Sequence, residues 1–113
     1  TGKVNMSKST YDAVTYGMRL VSYDGTASGV FGDFPIETCS KTGSSQVEGS
    51  SANGVFVSYA PYNNPKIAIA IVIESAGSGS VTAPIAKDIY TEYFKLNPKQ
   101  SDDVQIKTNL LIP

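Results

Sequence analysis

With 113 residues the chain has room for about one domain, on the usual scale of roughly 100–200 residues each, and 41% hydrophobic content excludes a disordered composition. A net charge of −1 and a pI near 5.2 supply no basic stripe for nucleic acid and no cationic helix for a membrane surface. The single Cys39 cannot close an internal disulfide, and zero histidines exclude a Ser-His-Asp triad and zinc chemistry within this chain.

No apolar run approaches the roughly 18–20 residues that span a bilayer, and no basic-then-apolar signal segment opens the chain. Residues 1–8 read as a polar, exposed lead-in. Ser9-Thr10-Tyr11-Asp12 has the spacing of a helix-opening cap, and Tyr11, Val14, Met18 and Val21 then form one helical stripe. Asp24-Gly25 ends that helix, with glycine expected in the left-handed conformation. Val30, Phe31, Phe34 and Ile36 lie in a Gly- and Pro-punctuated stretch expected to be a loop that packs aromatic rings on the core.

Next comes Cys39-Ser40-Lys41-Thr42-Gly43-Ser44-Ser45-Gln46, expected at the end of a strand ahead of a hairpin. On an extended backbone Lys41 and Thr42 point to opposite faces, and Gly43 leaves room for something to lie against the main chain, which suits a carboxylate-bearing ligand. Val47 to Asn53 is a polar connection. Gly54 to Pro61 is a strand by its β-branched and aromatic content, and Tyr62-Asn63-Asn64-Pro65 its turn. Ile67, Ile69, Ile71 and Ile73 alternate with Ala68, Ala70 and Val72. Both faces are apolar, so this strand is expected to be covered on both sides. A second helix is expected from about Ser80 to Leu96, with Val81, Ile85, Ile89 and Tyr93 on one row, Ala86, Tyr90 and Phe94 on the next, and Pro84 in its first turn. Beyond Asn97, Val104, Ile106 and Leu110 alternate with polar residues, as in a last strand or a linker.

The order helix, Lys-Thr-Gly strand, hairpin, helix resembles the C-terminal part of a penicillin-binding protein transpeptidase domain, from about Thr10 to Leu96. Tyr16-Gly17-Met18-Arg19-Leu20-Val21 is similar to the family's helix before the active-site strand, and Gly25-Thr26-Ala27 to the turn after it. Lys41-Thr42-Gly43-Ser44-Ser45-Gln46 resembles the third signature motif. Val55 to Pro61, Ile69 to Glu74 and Ala83-Pro84-Ile85-Ala86 resemble the following strands and the last helix. The similarity is to the high-molecular-weight class B enzymes of Gram-positive bacteria. Ser40 stands where that group usually has glycine, and Ser44 where it usually has threonine.

The resemblance implies an α+β fold, a fragment of the serine β-lactamase and penicillin-binding fold: an antiparallel sheet of about three strands flanked by two helices. Residues 1–96 would be the C-terminal portion of the transpeptidase domain, and 97–113 a tail, linker or extra strand. Its chemistry needs a Ser-x-x-Lys nucleophile, a Ser-x-Asn and the Lys-Thr-Gly. The residues three before each lysine are Asn5, Thr38, Asn63, Pro84, Glu92, Leu96 and Val104, so the nucleophile pattern is absent here. Ser51-Ala52-Asn53 matches the second motif in letters but follows Lys-Thr-Gly instead of preceding it, as a hairpin-loop coincidence would.

By the resemblance, Lys41, Thr42, Gly43 and Ser44 would bind the carboxylate of a peptidoglycan stem peptide or a β-lactam. The Ser44 backbone N–H would be one oxyanion-hole donor. No cofactor or metal is implied. The partners would be the stem peptide, β-lactams and the remainder of the domain, with self-association of the exposed surface a further expectation. The parent would sit on the outer face of a bacterial cell membrane, anchored by a segment outside this chain. A serine β-lactamase, a D,D-carboxypeptidase and a non-catalytic module retaining the sheet are the alternatives. A phosphate-binding loop fails, because Pro35 and Ser40 occupy both of its glycine positions. Cys39 reads as a packed strand residue, Tyr59, Tyr90 and Tyr93 as packing residues, and Asp102-Asp103 as a solvated pair.

Overall fold

The computed structural model describes residues 2–46 and 48–96. In chain order these form α1 (Lys8–Asp24), α2 (Ser28–Phe31), β1 (Cys39–Ser45), β2 (Asn53–Ala60), β3 (Ile67–Ile73), a 3₁₀ turn (Gly79–Thr82) and α3 (Ala83–Tyr93). The strands pair antiparallel in the order β1-β2-β3, the three-stranded sheet with flanking helices that the sequence predicts. The expectations for residues 97–113 lie outside the described residues. No described helix is long and apolar enough to cross a membrane.

Register sorts the side chains into two faces, because paired residues share a face and neighbours alternate. Ser40 and Thr42 on β1 lie opposite Ser58 and Phe56 on β2, which lie opposite Ile69 and Ile71 on β3. Against this face pack α2 and α3. The core is Ala27, Phe31, Phe56, Ala60, Ala83, Ala86 and Tyr90, flanked by Ile67, Ile69, Ile71, Phe34 and Phe94. Phe31 is its centre. It stacks on Phe56 at 6.4 Å and meets Phe34 and Tyr90 edge-on at 5.5 and 5.9 Å, geometries that add to simple area burial.

The opposite face of the sheet differs from expectation. Ala68, Ala70 and Val72 are exposed, Val72 by 65%, so β3 is covered on its isoleucine face alone. The physical reason is that α2 and α3 both lie on the isoleucine side, while α1 reaches the alanine side only at its β1 end, where Thr15 meets Cys39, and leaves the alanines exposed.

Helix α1 differs from expectation in its cap and in the first half of its stripe. In α1 the cap is Ser7, whose hydroxyl accepts from the Thr10 N–H, and Tyr11 and Val14 are 47% and 52% exposed. Its buried residues are Thr15 and Ser22, which pack beside the hydroxyl-bearing start of β1, while Met18 and Val21 of the expected stripe are half-buried and Val21 packs on the core. Gly25 ends the helix at φ −115°, not in the left-handed region; a Cβ there would approach Val21 Cα at 2.8 Å. The loop after it contains the short α2, with Phe31 and Phe34 on the core as predicted. Of the two rows that the sequence offers for the second helix, Val81 in the 3₁₀ turn and Ile85, Ile89 and Tyr93 in α3 form the exposed one, and Ala86 and Tyr90 of the other are buried. Pro84 sits in the first turn, as expected.

Candidate functional site at the edge of the sheet

β1 is an edge strand, and the Lys-Thr-Gly run occupies its middle. Lys41 is exposed. Its Nζ donates to the Thr42 carbonyl at 2.6 Å, and among the described residues no carboxylate pairs with it. Two ammonium protons stay available. Lys41 pairs with Val57 and Thr42 with Phe56, so the two side chains take opposite faces. At an outer strand, however, a ligand lying along the edge reaches both. The Thr42 Oγ1 is 3.0 Å from the Thr26 Oγ1. If Thr26 donates, the Thr42 proton is left to point at an anion.

Gly43 is half-buried, and a Cβ there would meet nothing nearer than Val55 Cβ at 3.7 Å. Side-chain packing within the described chain therefore does not demand glycine. Ser44 and Ser45 are exposed. The other side of the Gly43 backbone is closed by Gly79. A Cβ on Gly79 would run into the main-chain oxygens of Gly43 and Val55, and a Cβ on Gly54 would lie 2.6 Å from Ser78 O.

Immediately before Lys41 the strand is held by buried hydroxyls. Thr38 Oγ1 donates to Ser22 Oγ at 2.9 Å and Ser22 Oγ to Ser40 Oγ at 2.8 Å; Ser40 Oγ is 3.2 Å from Ser58 Oγ. Ser58 Oγ donates to the Cys39 carbonyl at 2.8 Å and accepts from Tyr90 OH at 2.6 Å. Arg19 adds a donor to the Thr38 carbonyl at 3.3 Å, pairs with Glu37 at 3.5 Å and lies over the Tyr23 ring.

Burial raises the Cys39 thiol above its ordinary pKa, the reverse of what a reactive thiol needs, and pushes Tyr90 up to about 12, a neutral donor at any physiological pH. Tyr59 is also raised, chiefly by burial. Asn53 of the Ser-x-Asn look-alike accepts the Ser75 N–H at 3.0 Å, a structural tie between β2 and the turn after β3. The described residues contain no cluster of three or more His, Cys, Asp or Glu that could hold a metal ion.

The sequence pointed to Lys41, Thr42, Gly43 and Ser44 and missed Thr26, Ser22 and Gly79. A signal existed for the hydroxyls. Thr38, Ser40 and Thr42 recur every second residue, marking a polar row on one strand face.

A model of the penicillin binding protein transpeptidase domain matches residues 1–91. The chain is 32% identical over 116 aligned residues to penicillin-binding protein 2A of Bacillus subtilis, covering 89% of this chain and 16% of that protein. It is 30% identical over 81 residues to the peptidoglycan D,D-transpeptidase MrdA of Escherichia coli K12, covering 58% of this chain and 13% of that protein. Among solved structures, Pseudomonas aeruginosa PBP2 in complex with WCK 5153 superposes with a TM-score of 0.72 at 34% identity, over 82% of this chain and 21% of that one. Penicillin-binding protein 2B of Streptococcus pneumoniae superposes with a TM-score of 0.69 at 29% identity, over 87% and 17%. The chain thus spans about a sixth of the first of these curated relatives, and it belongs to the penicillin-binding protein transpeptidase family.

Proposed function

We propose that this chain is one wall of a peptidoglycan D,D-transpeptidase site and that its Lys41-Thr42-Gly43-Ser44 edge captures the carboxylate of a stem peptide or a β-lactam. Lys41 supplies positive charge, Thr42 and Ser44 supply hydroxyl donors, and hydrogen bonds to an ionised acceptor are the stronger kind. Gly43 lets an extended peptide lie along β1 as an added strand. The Ser44 N–H serves as one of two oxyanion-hole donors.

The acyl transfer itself uses a serine supplied by another part of the parent polypeptide. Its Oγ attacks the carbonyl carbon of the penultimate D-alanine, and the bond to the terminal D-alanine breaks, releasing that residue as the amine. An amine of a neighbouring stem then takes the acyl group and frees the serine. This chain has no Ser-x-x-Lys. Loss of a single oxyanion donor costs about 10²–10³ in rate, so half a hole without a nucleophile turns nothing over. The parent works outside the cytoplasmic membrane, held by a segment elsewhere.

One observation carries the reading: a lysine with no carboxylate partner among the described residues, next to a glycine that packing does not require, on the open edge of a sheet in a transpeptidase-family fold. Fluorescent penicillin tests it on denaturing gels. The 113-residue chain is expected to take no covalent label, and a longer form carrying the Ser-x-x-Lys is expected to be labelled. Label on the short chain, or none on the long one, overturns the reading.

A further inference from the structure

Five hydroxyls behind Lys41, on Thr38, Ser22, Ser40, Ser58 and Tyr90, are between 0 and 3% exposed, and they join four separate segments of the fold. Each hydroxyl has one proton to give. Thr38 gives its proton to Ser22, Ser22 to Ser40, Tyr90 to Ser58, and Ser58 to the Cys39 carbonyl. With the Ser58 proton spent on Cys39, only Ser40 can donate across the 3.2 Å to Ser58. The chain of bonds therefore runs one way, Thr38 to Ser22 to Ser40 to Ser58 to the Cys39 carbonyl, with Tyr90 entering as a side branch. No proton in it is left over.

Such an array is a poor choice for stability alone, since well-packed apolar groups of similar volume hold a core at least as well as buried polar ones. What directional bonds add is register. A slip of one residue in β1 would turn Ser40 away from Ser22 and Ser58 and bring Cys39 or Lys41 into the hydroxyl row. The same lacing continues one rung on, where Thr26 meets Thr42 at 3.0 Å.

Building on the carboxylate-binding reading above, we infer that Ser22 and Ser40 are positioning residues. Their hydroxyl bond clamps β1 to α1, which fixes where Lys41 and Thr42 present their donors to the substrate carboxylate. Ser22 and Ser40 touch no substrate themselves. Tyr90, entering from the core side at Ser58, supports the sheet and leaves the Ser22–Ser40 clamp intact when removed.

The test compares acylation of the longer, nucleophile-bearing protein by a penicillin with its free carboxylate and by the same penicillin as its methyl ester. The readout is the ratio of the two second-order rate constants, which a change in folded fraction does not move. Ser22→Ala and Ser40→Ala are each expected to lower that ratio by about three- to tenfold, the scale of one net hydrogen bond. Tyr90→Phe is expected to lower the melting temperature and keep the ratio. Lys41→Ala separates the two readings. If Lys41→Ala leaves the ratio unchanged, the carboxylate reading itself fails. If it collapses the ratio while both serine variants keep it, only the clamp is overturned. A Tyr90→Phe loss as large as that of Ser40→Ala also overturns it, since general loosening would then suffice. Should either serine variant fold poorly, amide hydrogen exchange at residues 41–44 in the other decides. Faster exchange there than in the rest of β1 is expected, and uniform exchange refutes the clamp.

Discussion

Replacing Gly79 with alanine perturbs the fold and the site through one added methyl. The new Cβ would collide with the main-chain oxygens of Gly43 and Val55 and would lie 2.7 Å from the Gly43 nitrogen, where ordinary contacts begin at 3.4 Å. These atoms belong to the main chains of two paired strands, so no side chain can rotate away. Overpacking a tight interior costs about 1–3 kcal/mol, and a rigid backbone neighbour puts Gly79→Ala near 3 kcal/mol. That is a large part of the 5–15 kcal/mol that holds a typical domain together. Urea unfolding followed by circular dichroism measures the loss, with Gly17→Ala as the internal control. Gly17 lies inside α1 with nothing within 4 Å of its Cβ position, so alanine there should stabilise by about 0.5–1 kcal/mol through helix propensity. Displacement of the Gly43 backbone should also slow penicillin acylation of the longer protein. An unchanged urea midpoint for Gly79→Ala, or an equal loss for Gly17→Ala, refutes the close-approach argument.

Phe31→Ala should cost about 3–5 kcal/mol, because it removes the ring that touches Phe34, Phe56 and Tyr90 together; calorimetry showing less than about 1 kcal/mol would mean the core collapses into the space. Stability should fall as the pH rises from 10 towards 12. Below pH 10 Tyr90 is neutral in both states, whereas above it the unfolded chain loses the proton that the buried phenol keeps until about pH 12. Tyr90→Phe should lessen that slope, leaving the share of Tyr59, whose pKa burial also raises, and an unaltered slope contradicts the assignment. The uncovered row of Ala68, Ala70 and Val72 beside the open edge of β3 should make the isolated chain self-associate, and Val72→Lys should shift sedimentation towards monomer.

How legible all this was depended on the kind of pattern each element carries. Strand β3 was plain because its isoleucines alternate with a period of two, and the Lys-Thr-Gly run was plain because three unlike residues sit together. Helix α3 has two adjoining apolar rows, and periodicity alone does not say which turns inward. Packing chose Ala86, whose small side chain allows close approach, and Tyr90, whose ring joins the aromatic core and whose hydroxyl bonds Ser58, and left Ile85 and Ile89 exposed. Helix α1 turns Val21 of its apolar stripe to the core but buries Thr15 and Ser22 most deeply, and a search for apolar stripes is blind to hydroxyls. Gly79 carries no local signal beyond lying among small residues after β3, since its need for glycine arises from strands more than twenty residues away in sequence.

The most direct measurement is a crystal structure of the longer, nucleophile-bearing protein acylated by a penicillin. The account predicts the antibiotic carboxylate at hydrogen-bond distance, about 2.7–3.2 Å, from the Thr42 and Ser44 hydroxyls, with the Lys41 ammonium beside it. A carboxylate held by other residues, with the edge of β1 facing solvent, would contradict it.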